Sequence, residues 1–278
     1  LVISFSGLFQ YFSKEGYMPA NEPDPQKRPL VCGHRGASGH APENTLIAFR
    51  RAREMDATWI EFDVQLSADG VPIILHDDTL ERTTNLGQAL RPTELNLAEL
   101  KKLDAGSWFG PEFAGEPIPT LDEVLEEFGT ILGLNIEIKS RPGFEAGNGL
   151  ERKIADAVRK YALQDKVLIS SFDPTRLKAL HQYDPELRLG ALYTDRASHY
   201  PPDFDPITMA QSFEAVALHP PHTLVDAPLM DRVRQHGLAV NTWTANEVAE
   251  MQRLVDLGVD MIITNYPDRL SALLQAKA

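Results

Sequence analysis

The chain has 278 residues, 43% of them hydrophobic and 24% charged, with a formal net charge of −13. That composition excludes disorder or a coiled coil for most of its length, and no run approaches the roughly 18–20 apolar residues of a spanning helix. The acidic excess excludes nucleic acid as the main partner, because phosphate backbones demand dense Lys and Arg.

Residues 1–29 differ from the rest: an apolar, aromatic run over 1–12, then a polar stretch holding Pro23, Pro25 and Pro29. They read as an N-terminal arm or start-site extension with no catalytic role, ahead of one domain over 30–278. Short apolar runs at 30–33, 59–66, 134–138, 167–170, 187–192, 215–218, 238–242 and 261–264 read as strands. Helix signals fall between them. Thr120 with Glu123 forms a capping box, and Thr244 with Glu247 repeats it. Leu150, Ile154, Ala157, Val158 and Tyr161 share one helical face; Asp173-Pro174 pairs an N-cap with a first-turn proline, and Pro267 opens a last helix. The helix after Leu192 has the weakest pattern. The glycines of 143–149 lack the Lys-Ser/Thr of a nucleotide loop.

Eight strands in alternation with helices over about 250 residues predict an α/β fold, a TIM (β/α)8 barrel. The second β/α unit departs from the rhythm. Asp69-Gly70 signals a hairpin with a return strand over 71–75, and residues 77–119 are too long for an idle loop. They predict a small insertion or lid.

Catalytic residues of such barrels gather at the C-terminal strand ends, and those ends are polar here. Glu61 and Asp63 lie two apart on one strand and share a face, with Glu137 on the neighbouring strand. Two readings stand for this acidic set: a site for a hard divalent cation, Mg²⁺ or Ca²⁺, or a buried ionic network with Arg35 and Lys139. A two-residue hairpin turn places His76 opposite Asp63, and a four-residue turn places it opposite Glu61. Either register brings His76 to the carboxylates, where it and His34 suit acid and base work near neutral pH. Arg35 and Lys139 supply charge for a phosphoryl group. Phe172 and Trp243, with Trp108 and Phe109 of the insertion, either wall an alcohol pocket or pack the core and lid. His40, His219 and His222 sit in loop-like contexts and suit surface or packing roles.

These residues fall into a series. His34-Arg35-Gly36 with Pro42-Glu43-Asn44-Thr45 resembles the opening signature of the glycerophosphodiester phosphodiesterase family, bacterial single-domain cytoplasmic type. The likeness continues through Glu61-Phe62-Asp63, His76-Asp77 with Arg82-Thr83-Thr84, Pro119-Thr120-Leu121, Glu137-Ile138-Lys139, Ser171-Phe172 and Trp243-Thr244-Ala245-Asn246. It closes with Gly258-Val259-Asp260 and the run from Ile262 to Pro267. The resemblance implies a TIM barrel with an insertion in its second unit. It implies metal ligation by Glu61, Asp63 and Glu137, with Glu43 at the metal edge. His34 and His76 take the place of the catalytic pair, and Arg35 and Lys139 that of the phosphate contacts. Asn265 stands where the family often has Asp, and Met261 where it often has Gly; neither position is expected to be catalytic.

The implied reaction releases an alcohol and sn-glycerol 3-phosphate from a small-molecule glycerophosphodiester. The glycerol 2-hydroxyl attacks phosphorus, His34 takes its proton, and His76 protonates the departing alcohol. The alternatives are a lysophospholipase-D-like phosphodiesterase, a Mg²⁺-dependent aldolase or lyase barrel, and a non-catalytic phosphate-binding barrel. The last is disfavoured because no histidine or ligand is missing. Cys32 is the only cysteine, so no intramolecular disulfide forms, which fits a cytoplasmic location; the apolar run over 1–12 leaves a periplasmic or secreted one open. A homo-oligomer stays open.

Overall fold

A computed structural model of the chain describes residues 28–139, 147–194 and 203–276. Residues 1–27 of the expected N-terminal extension over 1–29, and most of the glycine-rich stretch, lie outside the described residues. The architecture follows from period-2 patterning in β1 (Leu30–His34) and β2 (Trp59–Leu66). In β2, Ile60, Phe62 and Val64 join the core shared with the helices. The alternate residues Trp59, Glu61, Asp63 and Gln65 are buried too, on the barrel's inner face. Trp59 packs with Cys32, Leu168, Met261 and Ile263 to close the floor, and the charged pair stands above it. Gly133 makes room for this packing, because a Cβ there would lie 2.1 Å from the Trp59 ring.

After β1 comes α1 (Leu46–Glu54), capped by Thr45. β2 is followed by β3 (Pro72–Ile74), α2 (Leu97–Leu100), α3 (Leu121–Phe128) and β4 (Gly133–Ile138). Then α4 (Leu150–Lys160), β5 (Val167–Ser171), α5 (Pro174–Tyr183), β6 (Arg188–Leu192), α6 (Pro206–Gln211) and β7 (Ala217–His219) alternate. The chain closes with α7 (Ala227–Gln235), β8 (Ala239–Thr242), α8 (Val248–Leu257), β9 (Met261–Thr264) and α9 (Pro267–Gln275). The eight strands other than β3 pair in parallel, in the order β1-β9-β8-β7-β6-β5-β4-β2, and the β1–β2 pairing closes the ring. This is a TIM barrel.

The Thr120–Glu123 capping box and the Asp173-Pro174 start occur as the sequence predicts. The Thr244–Glu247 box does not. Helix α8 begins only at Val248, because residues 245 and 246 are drawn back onto β9: Ala245 N donates to Ile263 O, and Asn246 Oδ1 accepts from Asn265 N. His219 is the last residue of β7 rather than a loop residue, and it is fully buried.

Both predicted hairpin registers are wrong by one residue. Val64 faces Ile74 and Leu66 faces Pro72, with Ser67 N donating to Val71 O. The turn therefore holds three residues, Ala68 to Gly70, and Gly70 takes the left-handed conformation (φ +74°) that such a loop requires. The hairpin occupies only part of one β2 edge: β1 pairs with residues 59–61 and β3 with residues 64–66. Residues 77–119 continue from it with α2 and two 3₁₀ turns. Their small core joins Leu80, Leu100, Ala105 and Ile118 to Ile73 and Leu75.

Candidate active site

Strand register sets the carboxylates. Glu61 pairs across to His34 on one side and Asn135 on the other, and Asp63 pairs with Glu137. Oxygens of Glu61, Asp63 and Glu137 all lie within 4.8 Å of one another. Lys139 Nζ is 2.6 Å from Glu137 Oε1 and 3.1 Å from Asp63 Oδ1, while Arg35 Nε is 3.3 Å from Asp63 Oδ2. Both readings of the acidic set thus have a physical counterpart. The ionic network exists, but it serves Asp63 and Glu137. Burial works against the Asp63 carboxylate, yet Lys139 and Arg35 hold its pKa far below the usual range.

Glu61 is different. It accepts a hydrogen bond from the Arg35 backbone N–H at 3.0 Å, and His34 Nε2 lies 4.0 Å from its Oε2. Burial, then the charges of Asp63 and Glu137, push its carboxyl well above the ordinary range. A buried carboxylate beside two others, with both nearby cations committed elsewhere, is a seat for one more positive charge. The all-oxygen donor set fits a hard divalent ion.

Glu43, which the resemblance places at the metal edge, is held by arginine. It accepts from Arg35 Nη1 at 2.8 Å and from Arg82 Nη1 and Nη2 at 2.8 and 2.7 Å. Two guanidinium groups therefore meet its charge. Glu43, His76 and Asp77 also bring potential ligand atoms within 4.8 Å, but Arg82 lies on both carboxylates.

The two histidines are held differently. His34 Nδ1 is 2.7 Å from Asn265 Oδ1, so Nδ1–H donates and Nε2 keeps the lone pair on the Glu61 side. Burial and the Arg35 charge push the His34 pKa down to about 4, against the Asn265 hydrogen bond. His76 Nδ1 is 2.7 Å from Asp77 Oδ1. Asp77 stays ionised far below its ordinary range, its desolvation outweighed by His76 and Arg82.

His34, Arg35, Glu61, His76, Glu137, Lys139, Phe172 and Trp243 all line one cavity of about 130 Å³ at the strand ends. Asp63 lies beneath it, 1% exposed. Phe172 and Trp243 meet edge to face at 5.6 Å on one side. Trp108 and Phe109 are not among the lining residues. They pack instead where the insertion meets α1, Trp108 edge-on to Phe109 and Phe109 to Phe113, in a cluster with Ala41 and Ala48.

Three positions passed over in the sequence prove structural to the site. Asn44, in a left-handed conformation (φ 59°), donates from Nδ2 to Asp63 Oδ2 at 2.9 Å and accepts from Asp63 N. Gln65 Nε2 donates to the carbonyls of Leu75 and Asp77, both at 2.8 Å, bracketing His76. Asn265, expected to be incidental, holds His34. The adjacent Pro42-Glu43-Asn44-Thr45 motif was the available signal for Asn44. Asn265 stood in the closing run from Ile262 to Pro267 as a departure from Asp, and Gln65 had no signal.

Comparison with known proteins bears on this geometry. A model of the glycerophosphoryl diester phosphodiesterase family matches residues 34–269. A glycerophosphodiester phosphodiesterase of Caldanaerobacter subterraneus subsp. tengcongensis is 41% identical over 247 residues, 88% of this chain and 98% of that one. One from Bacillus subtilis is 37% identical, covering 87% of this chain and 85% of its own length. Among solved structures, an Oleispira antarctica phosphodiesterase in complex with its product sn-glycerol-3-phosphate superposes with a TM-score of 0.76 at 34% identity. That match covers 89% of this chain and 97% of the other.

Proposed function

This chain belongs to the glycerophosphoryl diester phosphodiesterase family and is an enzyme of that activity; on that premise we propose that its barrel mouth cleaves glycerophosphodiesters with a divalent cation, Mg²⁺ or Ca²⁺, held by Glu61, Asp63 and Glu137. The observation that carries the metal reading is Glu61, buried among like charges whose cationic partners are already taken. Such an ion polarises phosphoryl oxygens and lowers the pKa of a bound hydroxyl.

The rest follows from the chain's own residues. Arg35 and Lys139 line the cavity beside the carboxylates; with a cation on the acidic set they would be released from Asp63 and Glu137 to neutralise the phosphate as charge develops on it. His34 is neutral at physiological pH and its Nδ1–H is committed to Asn265, so Nε2 takes the proton of the glycerol 2-hydroxyl. The 2-oxygen bonds to phosphorus. The alcohol leaves with the electron pair of the breaking P–O bond, and His76 gives it a proton from Nε2, Nδ1 being committed to Asp77. The intramolecular attack exploits the high effective molarity of a neighbouring hydroxyl. Water then opens the cyclic phosphate with the roles reversed, giving sn-glycerol 3-phosphate, the product bound by the Oleispira antarctica relative. Phe172 and Trp243 form the apolar wall for the leaving alcohol.

Dialysis against EDTA is expected to abolish release of glycerol 3-phosphate from glycerophosphocholine, and Mg²⁺ or Ca²⁺ to restore it. Glu61→Gln should weaken that restoration. Full turnover in excess EDTA would overturn the metal reading while leaving the family assignment intact.

A further inference from the structure

The mechanism uses His76 but leaves open what aims its ring. Gln65 fixes only the backbone on either side of it. The ring is held through Nδ1 by Asp77, a half-buried carboxylate, and Asp77 is in turn gripped at both oxygens by Arg82. The same guanidinium takes both oxygens of Glu43, which holds Arg35. Trp108 lies alongside, with its ring centroid 5.7 Å from Arg82 Cζ. An unbroken series of charge-assisted contacts therefore runs from Arg35 through Glu43, Arg82 and Asp77 to His76.

Resting on the reading of His76 as the acid, we propose that Arg82 is a positioning residue that locks Asp77 and thereby sets the ring orientation from which His76 protonates the leaving alcohol. Its planar fork engages two carboxylates at once, which a point charge cannot reproduce. Without Arg82, Asp77 has one ring N–H and solvent to choose between. Glu43 keeps Arg35 but is no longer tied to Asp77, and each carboxylate lies within reach of His76. His76 remains present, but its proton is no longer presented along one direction.

A positioning role has a signature that general loosening of the fold lacks. Protonation matters when the leaving group is a weakly acidic alcohol and little when it is an acidic phenol that departs as the anion. Two substrates separate these cases: glycerophosphocholine, and the glycerophosphodiester whose leaving group is p-nitrophenol. Arg82→Met is expected to lower kcat/KM for glycerophosphocholine roughly tenfold or more and to lower that for the nitrophenyl ester far less. Asp77→Asn should reproduce the selectivity, and Arg82→Lys should fall between wild type and Arg82→Met. Melting curves accompany each variant; if Arg82→Met fails to fold, Arg82→Lys and Asp77→Asn carry the same test. Equal losses on both substrates, or no loss, would overturn the role of Arg82, provided that His76→Ala is itself selective. A His76→Ala variant with equal losses on both esters would instead overturn the acid assignment, and the inference with it. The barrel, its metal and the phosphodiesterase activity survive either result.

Discussion

Single contacts decide how the site is tuned, and Asn265 shows this most directly. The sequence marks it as a departure from Asp at a position not expected to be catalytic, and it lies 231 residues from His34 along the chain. Closure of the barrel by β1 and β9 removes that distance. A neutral amide at 2.7 Å from Nδ1 fixes the tautomer without adding a charge that would favour the imidazolium. Asn265→Asp adds that charge, so the His34 pKa should rise from about 4 towards its ordinary value. A base must be unprotonated to act, so raising its pKa costs activity on the acid side. The acid limb of kcat/KM for Asn265→Asp should therefore move up by about one pH unit or more. Most activity should remain at pH 8. An unmoved limb would show that another group sets it. The carboxylates, the two histidines and the cavity cations were legible as residue types; their partners, reached only through the closed ring, were not.

At the scale of elements, alternation and caps spoke clearly, and every predicted strand appears with ends shifted by at most a residue or two. Legibility failed where the deciding contact was tertiary. Asp69-Gly70 looks like a two-residue turn, but Gly70 is the left-handed third residue of a longer loop. Thr244 looks like a cap, but residues 245 and 246 are held by β9. A strand property the sequence did not expose is the small residue at Gly190 in β6. A Cβ built there would stand 2.4 Å from His219 Nε2, and both residues are on central barrel strands. The Gly190→Ala variant should therefore lose about 1–3 kcal/mol of stability by overpacking. Urea unfolding measures this, and an unchanged midpoint would mean that the His219 ring yields without strain.

For the molecule as a whole, two buried groups pull the pH dependence of stability in opposite directions. Burial pushes His219 down to about 3. The unfolded chain takes up its proton near pH 6.5 and the folded chain does not, so each unit of acidification between those values removes about 1.4 kcal/mol. Glu61 has the reverse sign. Its folded pKa is raised, so the stability it contributes is present below the ordinary carboxylate range and is lost as the pH rises above it. A cation at the acidic set cancels that loss by making the ionised form the stable one. Saturating Mg²⁺ or Ca²⁺ should consequently raise Tm, and by more at pH 8 than at pH 5. Ligand at a hundredfold excess over Kd is worth about 2.7 kcal/mol, or several degrees for a barrel of this size. Equal melting curves with and without the ion at pH 8 would count against a cation at this site.

The divided edge of β2 has a consequence for how such an enzyme diversifies. Ring closure uses residues 59–61 of that edge, and the hairpin leading into the insertion uses residues 64–66. The arm over residues 76–119, with its own small core, thus joins β2 through hydrogen bonds that the ring does not need. It meets the stretch from β1 into α1 at Arg82–Glu43 and where Phe113 packs on Ala41 and Ala48. Glu61, Asp63, Glu137 and His34 belong to the ring, whereas His76, Asp77 and Arg82 travel with the arm. The arm is in effect a cassette. A recombination that exchanged it between two such barrels would transplant the proposed proton donor with Asp77 and Arg82, leaving the acidic centre, the proposed base and the Glu43 that Arg82 must grip with their original host.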